Sequence, residues 1–498
     1  MAPHPLRRLV ASGLAYQASG IAAGVLALVT LPLYTSHLSA GELGWAEILL
    51  TWIILASIVL RVGLQEALLR HWFLDRDRAR RSRLARRVVA VVLAGSTALA
   101  LLVLLAAKPI ADVVLDSDAG NAVSTVRAAA LGVWAFTNLE VANALLRAQE
   151  ARRTYLLASL TNVALTVATT IVLVVALEQG PSGYLLGNYL ASAVVLVGVW
   201  WSQRRLLAGG RDGSATPIGP LLRFGLPTVL PEMAVFALSF VDRQWLLQAS
   251  GADSAGVYSG AVKLATLVIV VARAFQAAWP PLAYDLDDDA APRAYAQVVR
   301  AYVVALGWVV AALALMRHQI SDLLLGSEFS PAEHVAVADA LPWLALGWAL
   351  WGLTWVFTSI AGRAHATGRT LPAALLGLAV NVAALALLVP SLDATGAAIA
   401  LVAAYVVALA VAHLRTRLLL RVPFERGPLA AAVALLAVVA VAGDQLLPAD
   451  GAAGWLLRIA ACAVIPPLLV AVGAVRPAEV AVLRRAIAAR RARRAPSP

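Results

Sequence analysis

Residues 76–108 read RDRARRSRLARRVVAVVLAGSTALALLVLLAAK. From 88 to 107 no side chain carries a charge, and a helix of that length crosses the roughly 30 Å hydrocarbon core of a bilayer. The run is apolar on every side, so it keeps no face for water. Its two flanks differ. Arg76, Arg78, Arg80, Arg81, Arg83, Arg86 and Arg87 precede it, and Lys108 alone follows. Lys and Arg collect on the cytoplasmic side of a membrane, so this stretch predicts both a crossing and its direction.

The same pattern recurs along the chain. Of 498 residues, 61% are apolar and 14% charged, with a mean hydropathy of +0.81. A soluble domain carries about 25% charge. Disordered, fibrous and disulfide-rich secreted classes are excluded together, and an all-α polytopic membrane protein is expected. Fourteen spans are predicted: 12–34, 45–66, 88–107, 126–146, 155–177, 183–203, 224–248, 257–280, 298–316, 335–360, 371–390, 395–413, 428–447 and 454–475. The opening MAPHPLRRLVASGLAYQASG has a basic start and no convincing cleavage site, so it reads as a retained first helix.

With the N-terminus inside, the inner segments hold 32 of the 40 cations, and the outer ends hold Lys108, Arg127, Arg317 and Arg458. Both termini are therefore expected in the cytoplasm, with the chain in the cell membrane. The net charge of +12 follows from this topology, and no nucleic-acid partner is expected. The basic tail reads as a positive-inside anchor; Val480–Arg494 also has the pattern of a helix lying on anionic lipid.

The two halves resemble each other at a nearly fixed spacing. Ile110–Asp118 matches Ile320–Glu328 at an offset of 210, and Arg147-Ala148 with Arg153-Thr154 matches Arg363-Ala364 with Arg369-Thr370 at 216. Gly183–Arg204 maps onto Gly396–Arg417 at 213, and Gly44 onto Gly256 at 212. The repeat holds six spans, an even number, so both copies have the same orientation, and two parallel six-helix bundles are expected to face each other across a cavity. The expected organisation is 1–210 and 211–424 as the two lobes, 425–475 as two additional helices, and 476–498 as a cytoplasmic tail.

Soluble-type catalysis finds no support. There is no phosphate-binding G-x-x-x-x-G-K-[ST] loop, no H-E-x-x-H motif and no nucleophile elbow. Cys462 is the sole cysteine and the seven histidines are scattered, so neither a metal site nor a cofactor is expected. The informative residues are charges inside spans, each costing about 2.5–3.5 kcal/mol on insertion scales. Span 224–248 carries Glu232, Asp242 and Arg243, and span 257–280 carries Lys263 and Arg273. Folded as a hairpin about Ala252–Asp253, these helices bring Asp242 level with Lys263, and Glu232 level with Arg273. Arg243 is left over, and Arg61 adds a cation near the inner side. Arg243, Lys263, Arg273 and Arg61 are thus candidate cavity cations for an anionic headgroup. Glu232 and Asp242 are either ion-pair partners or coupling carboxylates. Arg61 could equally snorkel to the interface. Pro32, Pro227 and Pro231 are expected to interrupt the opening helices of the two halves. Asn138, Glu140 and Asn143 share one face of the fourth span, either lining the cavity or bonding between helices.

Several stretches resemble the polysaccharide-export, O-antigen-type branch of the multidrug/oligosaccharidyl-lipid/polysaccharide flippase superfamily. They are Pro32-Leu33-Tyr34-Thr35 through Leu38-Ser39 and Glu42-Leu43-Gly44, then Gly63-Leu64, Ala67-Leu68 and Arg70. Phe224-Gly225-Leu226-Pro227, Asp242-Arg243, Gly256-Val257-Tyr258 with Lys263-Leu264, and Leu323–Gly326 with Glu328-Phe329 continue the likeness, which runs from about residue 12 to 420. The resemblance implies a V-shaped pair of lobes working by alternating access, without enzymatic activity. The implied cargo is an undecaprenyl-pyrophosphate-linked oligosaccharide, with membrane lipids, glycosyltransferases and a polymerase as implied partners. The competing expectation is a small-molecule or drug exporter of the same superfamily or of the major facilitator type.

Overall fold

A computed structural model describes residues 24–475 apart from 75–76, 116, 118–119, 208–216, 365 and 450. Residues 12–23 of the first expected span and the tail 476–498 lie outside the described residues. The chain opens with α1 (Gly24–Thr35), α2 (Ala40–Arg61), α3 (Leu64–Leu74), α4 (Arg78–Leu105), α5 (Ala107–Val114), α6 (Gly120–Ala148) and α7 (Arg152–Ile171). A π-helical turn at Val172–Ala176 leads to α8 (Gly180–Ser202) and α9 (Arg204–Leu207). The second half contains α10 (Ile218–Ser250), α11 (Ala252–Leu264), α12 (Thr266–Tyr284), α13 (Ala291–Leu315), α14 (Arg317–Leu324), α15 (Pro331–Arg363) and α16 (Leu371–Thr416). The last two helices are α17 (Arg426–Leu446) and α18 (Gly451–Ala471). No strand occurs among the described residues.

Eleven of these helices are long and apolar enough to cross a membrane, and one of the eleven covers two expected spans. A straight helix of the 46 residues in α16 would be about 69 Å long, more than twice the hydrocarbon thickness. Instead the chain doubles back at Asp393 (φ 49°, ψ −129°). Gly377 on one arm consequently lies 3.1 Å, measured from an added Cβ, from the Ala404 carbonyl on the other. Counting both arms and adding α1 and α10, the helices are compatible with fourteen crossings. The chain is an all-α, multi-pass membrane protein.

The expected proline interruptions do not occur. Both α1 and α10 run unbroken through positions 32, 227 and 231, and membrane helices tolerate proline where neighbours satisfy the freed backbone groups. The breaks fall elsewhere. Val62 (φ 43°) and Gly63 (φ 67°) end α2 and start α3, and Ala265 separates α11 from α12.

The two halves meet along α2 and α11. A capping box fixes the start of α2: Glu42 N–H donates to Ser39 Oγ (3.3 Å), and Ser39 N–H donates to Glu42 Oε2 (3.2 Å). At the crossing, a Cβ on Gly44 would strike the Ala252 carbonyl, and one on Gly256 would strike the Ala40 carbonyl. Positions 40 and 44 thus meet 252 and 256 reciprocally, at the 212-residue offset of the sequence match. At the Arg61 end of α2, Gly63 backs onto the Gly225 carbonyl of α10, and the Arg70 guanidinium of α3 sits 4.4 Å from the Phe224 ring of α10. The two halves thus touch at both ends of α2. A single apolar cluster, with Leu43, Ile48 and Ile53 of α2, Val257 and Leu264 of α11 and Leu341 of α15, is shared by both halves.

The final pair of helices packs on α13 through Ala311, Leu315, Leu436, Ile465 and Leu469. Arg458, 1% exposed, is held wholly by neighbouring groups: Nε donates to the Pro448 carbonyl (3.0 Å), Nη2 to Leu447 (3.0 Å) and Nη1 to Leu315. Arg317 forks onto Asp444 (3.0 and 3.2 Å) and reaches Asp339 (2.6 Å).

Candidate functional site

The α2–α11 crossing carries a buried cluster of charge. Glu47 lies seven residues into α2, about 10 Å below its start. Its side chain receives Lys263 Nζ at 2.7 Å on Oε1, and Arg243 Nη2 lies 3.9 Å from Oε2. Tyr184 of α8 completes the ring: its hydroxyl donates to Glu47 Oε1 (3.2 Å) and accepts from Lys263 Nζ (3.0 Å). Tyr34 of α1 packs edge-on against Tyr184 at 5.3 Å. The first half thus supplies one carboxylate and two phenols, and the second half supplies two cations.

Local structure explains these positions. Lys263 occupies the last turn of α11, where a cation is favoured by the helix dipole. The break at Ala265 lets that last turn end inside the protein. Arg243 is steadied by donating Nε–H to Ser259 Oγ (3.2 Å). All three charged side chains are largely buried, with 11% of Glu47, 13% of Arg243 and 16% of Lys263 side-chain surface exposed. Removing one partner from such a group would strand a buried charge.

The expected pairing of Asp242 with Lys263 is overturned. Asp242 turns the other way, accepting from Tyr258 (2.7 Å) and from Asn381 Nδ2 of α16 (2.6 Å). Two physical causes combine. The turn sits at Gly251 (φ 94°) rather than at 252–253, so Tyr258 and Ser259 stand opposite Asp242 and Arg243. Equal depth also says nothing about azimuth, and each helical residue rotates the side chain by about 100°.

The remaining candidates lie apart. Arg61, 5% exposed, donates to the Ser57 carbonyl (3.1 Å) and to Gln65 Oε1, and lies 3.9 Å from Glu140. It is fourteen residues, about 21 Å, along α2 from Glu47, and it stays inside rather than snorkelling. Arg273 is exposed on the face of α12 that also presents Thr266 and Val270, the two residues against which Gly24 of α1 packs. The side chain of Glu232 lies outside the described residues. Asn138 donates to Ser96 Oγ of α4 (2.8 Å), a bond between helices.

Glu47 is the residue that sequence reasoning misses. Its signal is plain in LGWAEILLTWIILASIVL, residues 43–60, where it is the lone charge. Tyr184 carries no comparable signal.

The helix arrangement is similar to that of solved membrane transporters described as members of the MOP superfamily. The structure of the lipid II flippase MurJ in an inward closed conformation matches with a TM-score of 0.76 at 11% identity, covering 92% of this chain and 98% of that one. An inward-facing multidrug-resistance MATE transporter matches at 0.63 and 19% identity, over 82% and 94% of the two chains. A MOP superfamily transporter from Pyrococcus furiosus matches at 0.57 and 17% identity, over 84% and 97%. No curated protein matches the chain in sequence. The chain belongs to the polysaccharide biosynthesis protein family, whose model covers residues 37–334. Family and fold together describe a multi-pass polysaccharide biosynthesis protein with the helix arrangement seen in MurJ and MATE transporters.

Proposed function

We propose that the protein is a secondary transporter that flips a polyprenyl-pyrophosphate-linked oligosaccharide from the inner to the outer leaflet of the cytoplasmic membrane, for cell-envelope polysaccharide assembly. The observation that carries this reading is the Glu47–Lys263–Arg243 cluster, where two cations from one half converge on one carboxylate from the other. One positive charge is in surplus. Glu47 then acts as the internal counter-anion of the empty transporter. An arriving pyrophosphate displaces it from Lys263 and Arg243, freeing the two halves to part at the glycine crossing. Arg273, on the α1 side of α12, receives the headgroup at an earlier or later depth.

With both termini cytoplasmic, an anionic headgroup moving outward travels down the electrical gradient, by about 2.3 kcal/mol per charge per 100 mV. Asp242, bonded to Tyr258 and Asn381, is the carboxylate available for coupling to an ion. Glycosyltransferases and a polymerase of the same pathway are the expected partners. The fold likeness to a multidrug-resistance MATE transporter supports a second reading, export of a small molecule or drug, although two converging cations favour an anionic cargo.

Proteoliposomes loaded with a polyprenyl-pyrophosphate glycan on one leaflet provide the test. Wild-type protein should move the glycan to the opposite leaflet faster with an imposed potential. Lys263→Ala, Arg243→Ala and Arg273→Ala should abolish movement while inserting normally. Undiminished flipping in all three variants would discard the cation cluster as the headgroup site.

A further inference from the structure

A second concentration of positive charge lies far from this cluster, where α16 ends and the chain runs irregularly from Leu418 to Glu425 before α17. A pocket of about 260 Å³ opens there, lined by His413, Arg417, Arg421, Phe357 and Phe424 among others. Its floor is aromatic: the His413 ring stands edge-on to Phe357 (5.4 Å) and to Phe424 (5.6 Å), which fixes the imidazole between them. Arg417 and Arg421 are exposed at its rim, and neither forms an ion pair among the described residues. The acidic neighbour Glu425 is engaged elsewhere, by Arg300 at 2.7 Å. Topology alone asks for arginines at this end of a span. It does not ask for two of them around a ring-floored recess.

We infer that this recess is a binding site for a phosphate-bearing anion, and that its occupant is the headgroup of an anionic phospholipid of the surrounding leaflet. Position argues for lipid: the pocket lies at the junction of two spans, flanked by Leu414 and Leu418, which are 53% and 75% exposed. Guanidinium groups suit phosphate by bidentate donation, while the rings accept the first carbons of the glycerol and acyl chains. The inference is independent of what the transporter carries.

Native mass spectrometry of the full-length protein released from mixed phosphatidylglycerol and phosphatidylcholine bilayers tests it. Wild-type protein should retain phosphatidylglycerol selectively. Arg417→Gln with Arg421→Gln should lower that retention about thirtyfold, the combined effect of two arginines near an anionic surface. Phe424→Ala should lower it less, and Arg417→Lys with Arg421→Lys should keep most of it, with an unchanged elution volume showing intact folding. Arg415→Gln, a neighbouring exposed cation outside the pocket, should leave retention unchanged. An equal loss in Arg415→Gln would reduce the effect to the general field of a basic surface and overturn the site. Displacement by inorganic phosphate with no response to Phe424→Ala would overturn the lipid as occupant.

Discussion

Helices α2 and α11 begin at positions 40 and 252, the same 212 residues apart as the glycines through which they cross. They then diverge. One runs 22 residues to Arg61, and the other stops after 13 at Leu264. Their polar residues diverge more sharply. Carried across by the offset, Glu47 corresponds to Ser259, Lys263 to Thr51 and Arg243 to Leu31. Tyr184, at the 213 offset of its own region, corresponds to Ala397. Each charged member of the central cluster therefore has an uncharged counterpart. The matching positions build the frame, and the chemistry sits where the copies differ.

The largest effect should come from breaking the frame. Gly256→Leu places a side chain where backbone already is; overpacking costs about 1–3 kcal/mol even when side chains can yield, and here the obstacle is the Ala40 carbonyl. Folded protein should be lost in fluorescence-detected size exclusion, while Gly260→Ala, with its nearest neighbours 3.6–3.8 Å away, should express normally. Equal tolerance of both would mean that the helices do not meet at Gly256.

Next in size is the cost of an unbalanced charge. Lys263→Ala leaves Glu47 with Arg243 at 3.9 Å and should destabilise by about 3–5 kcal/mol. Adding Glu47→Gln should recover most of the lost thermal stability without recovering transport, which separates the structural role of the pair from its role toward cargo. A double variant no more stable than Lys263→Ala would refute the coupling.

A milder exchange tests the asymmetry itself. In a Glu47→Gln background, Ser259→Glu returns a carboxylate to Arg243 from the opposite copy, since Ser259 Oγ already accepts from Arg243 at 3.2 Å. Thermal denaturation should show recovery of about 1–2 kcal/mol, a coupling of the size found between directly contacting residues. Smallest of all is Glu140→Gln. Its carboxylate is 30% exposed and 3.9 Å from Arg61, so the change should cost less than about 1 kcal/mol.

Hydropathy made the membrane fold legible, because an uncharged run of bilayer length has few other uses. The hairpin inside α16 was legible too: Pro390–Thr395 separates two such runs, and the reversal falls at Asp393. Lys263 and Arg243 were visible as charges in apolar surroundings. Their partner was not, since a hairpin drawn from one pair of neighbouring helices cannot show that a third helix, α2, reaches the same depth. The register shift at Gly251 was equally hidden. A one- or two-residue change in a turn turns a helix face by more than a right angle, and nothing in the local sequence records that rotation. Glu47 itself was readable, as a lone carboxylate among leucines and tryptophans.

Arg458 ties α18 to the carbonyl of Leu315 on α13 and to the loop that follows α17. With its hydrogens so committed, the final helix pair behaves as ballast bolted to one half of the machine. A fluorophore placed on the exposed face of α18, at Leu456 or Ile459, becomes a tracer for the second half's position. Paired with a donor on α4, it would report in ångströms whether the halves part when the proposed cargo is added.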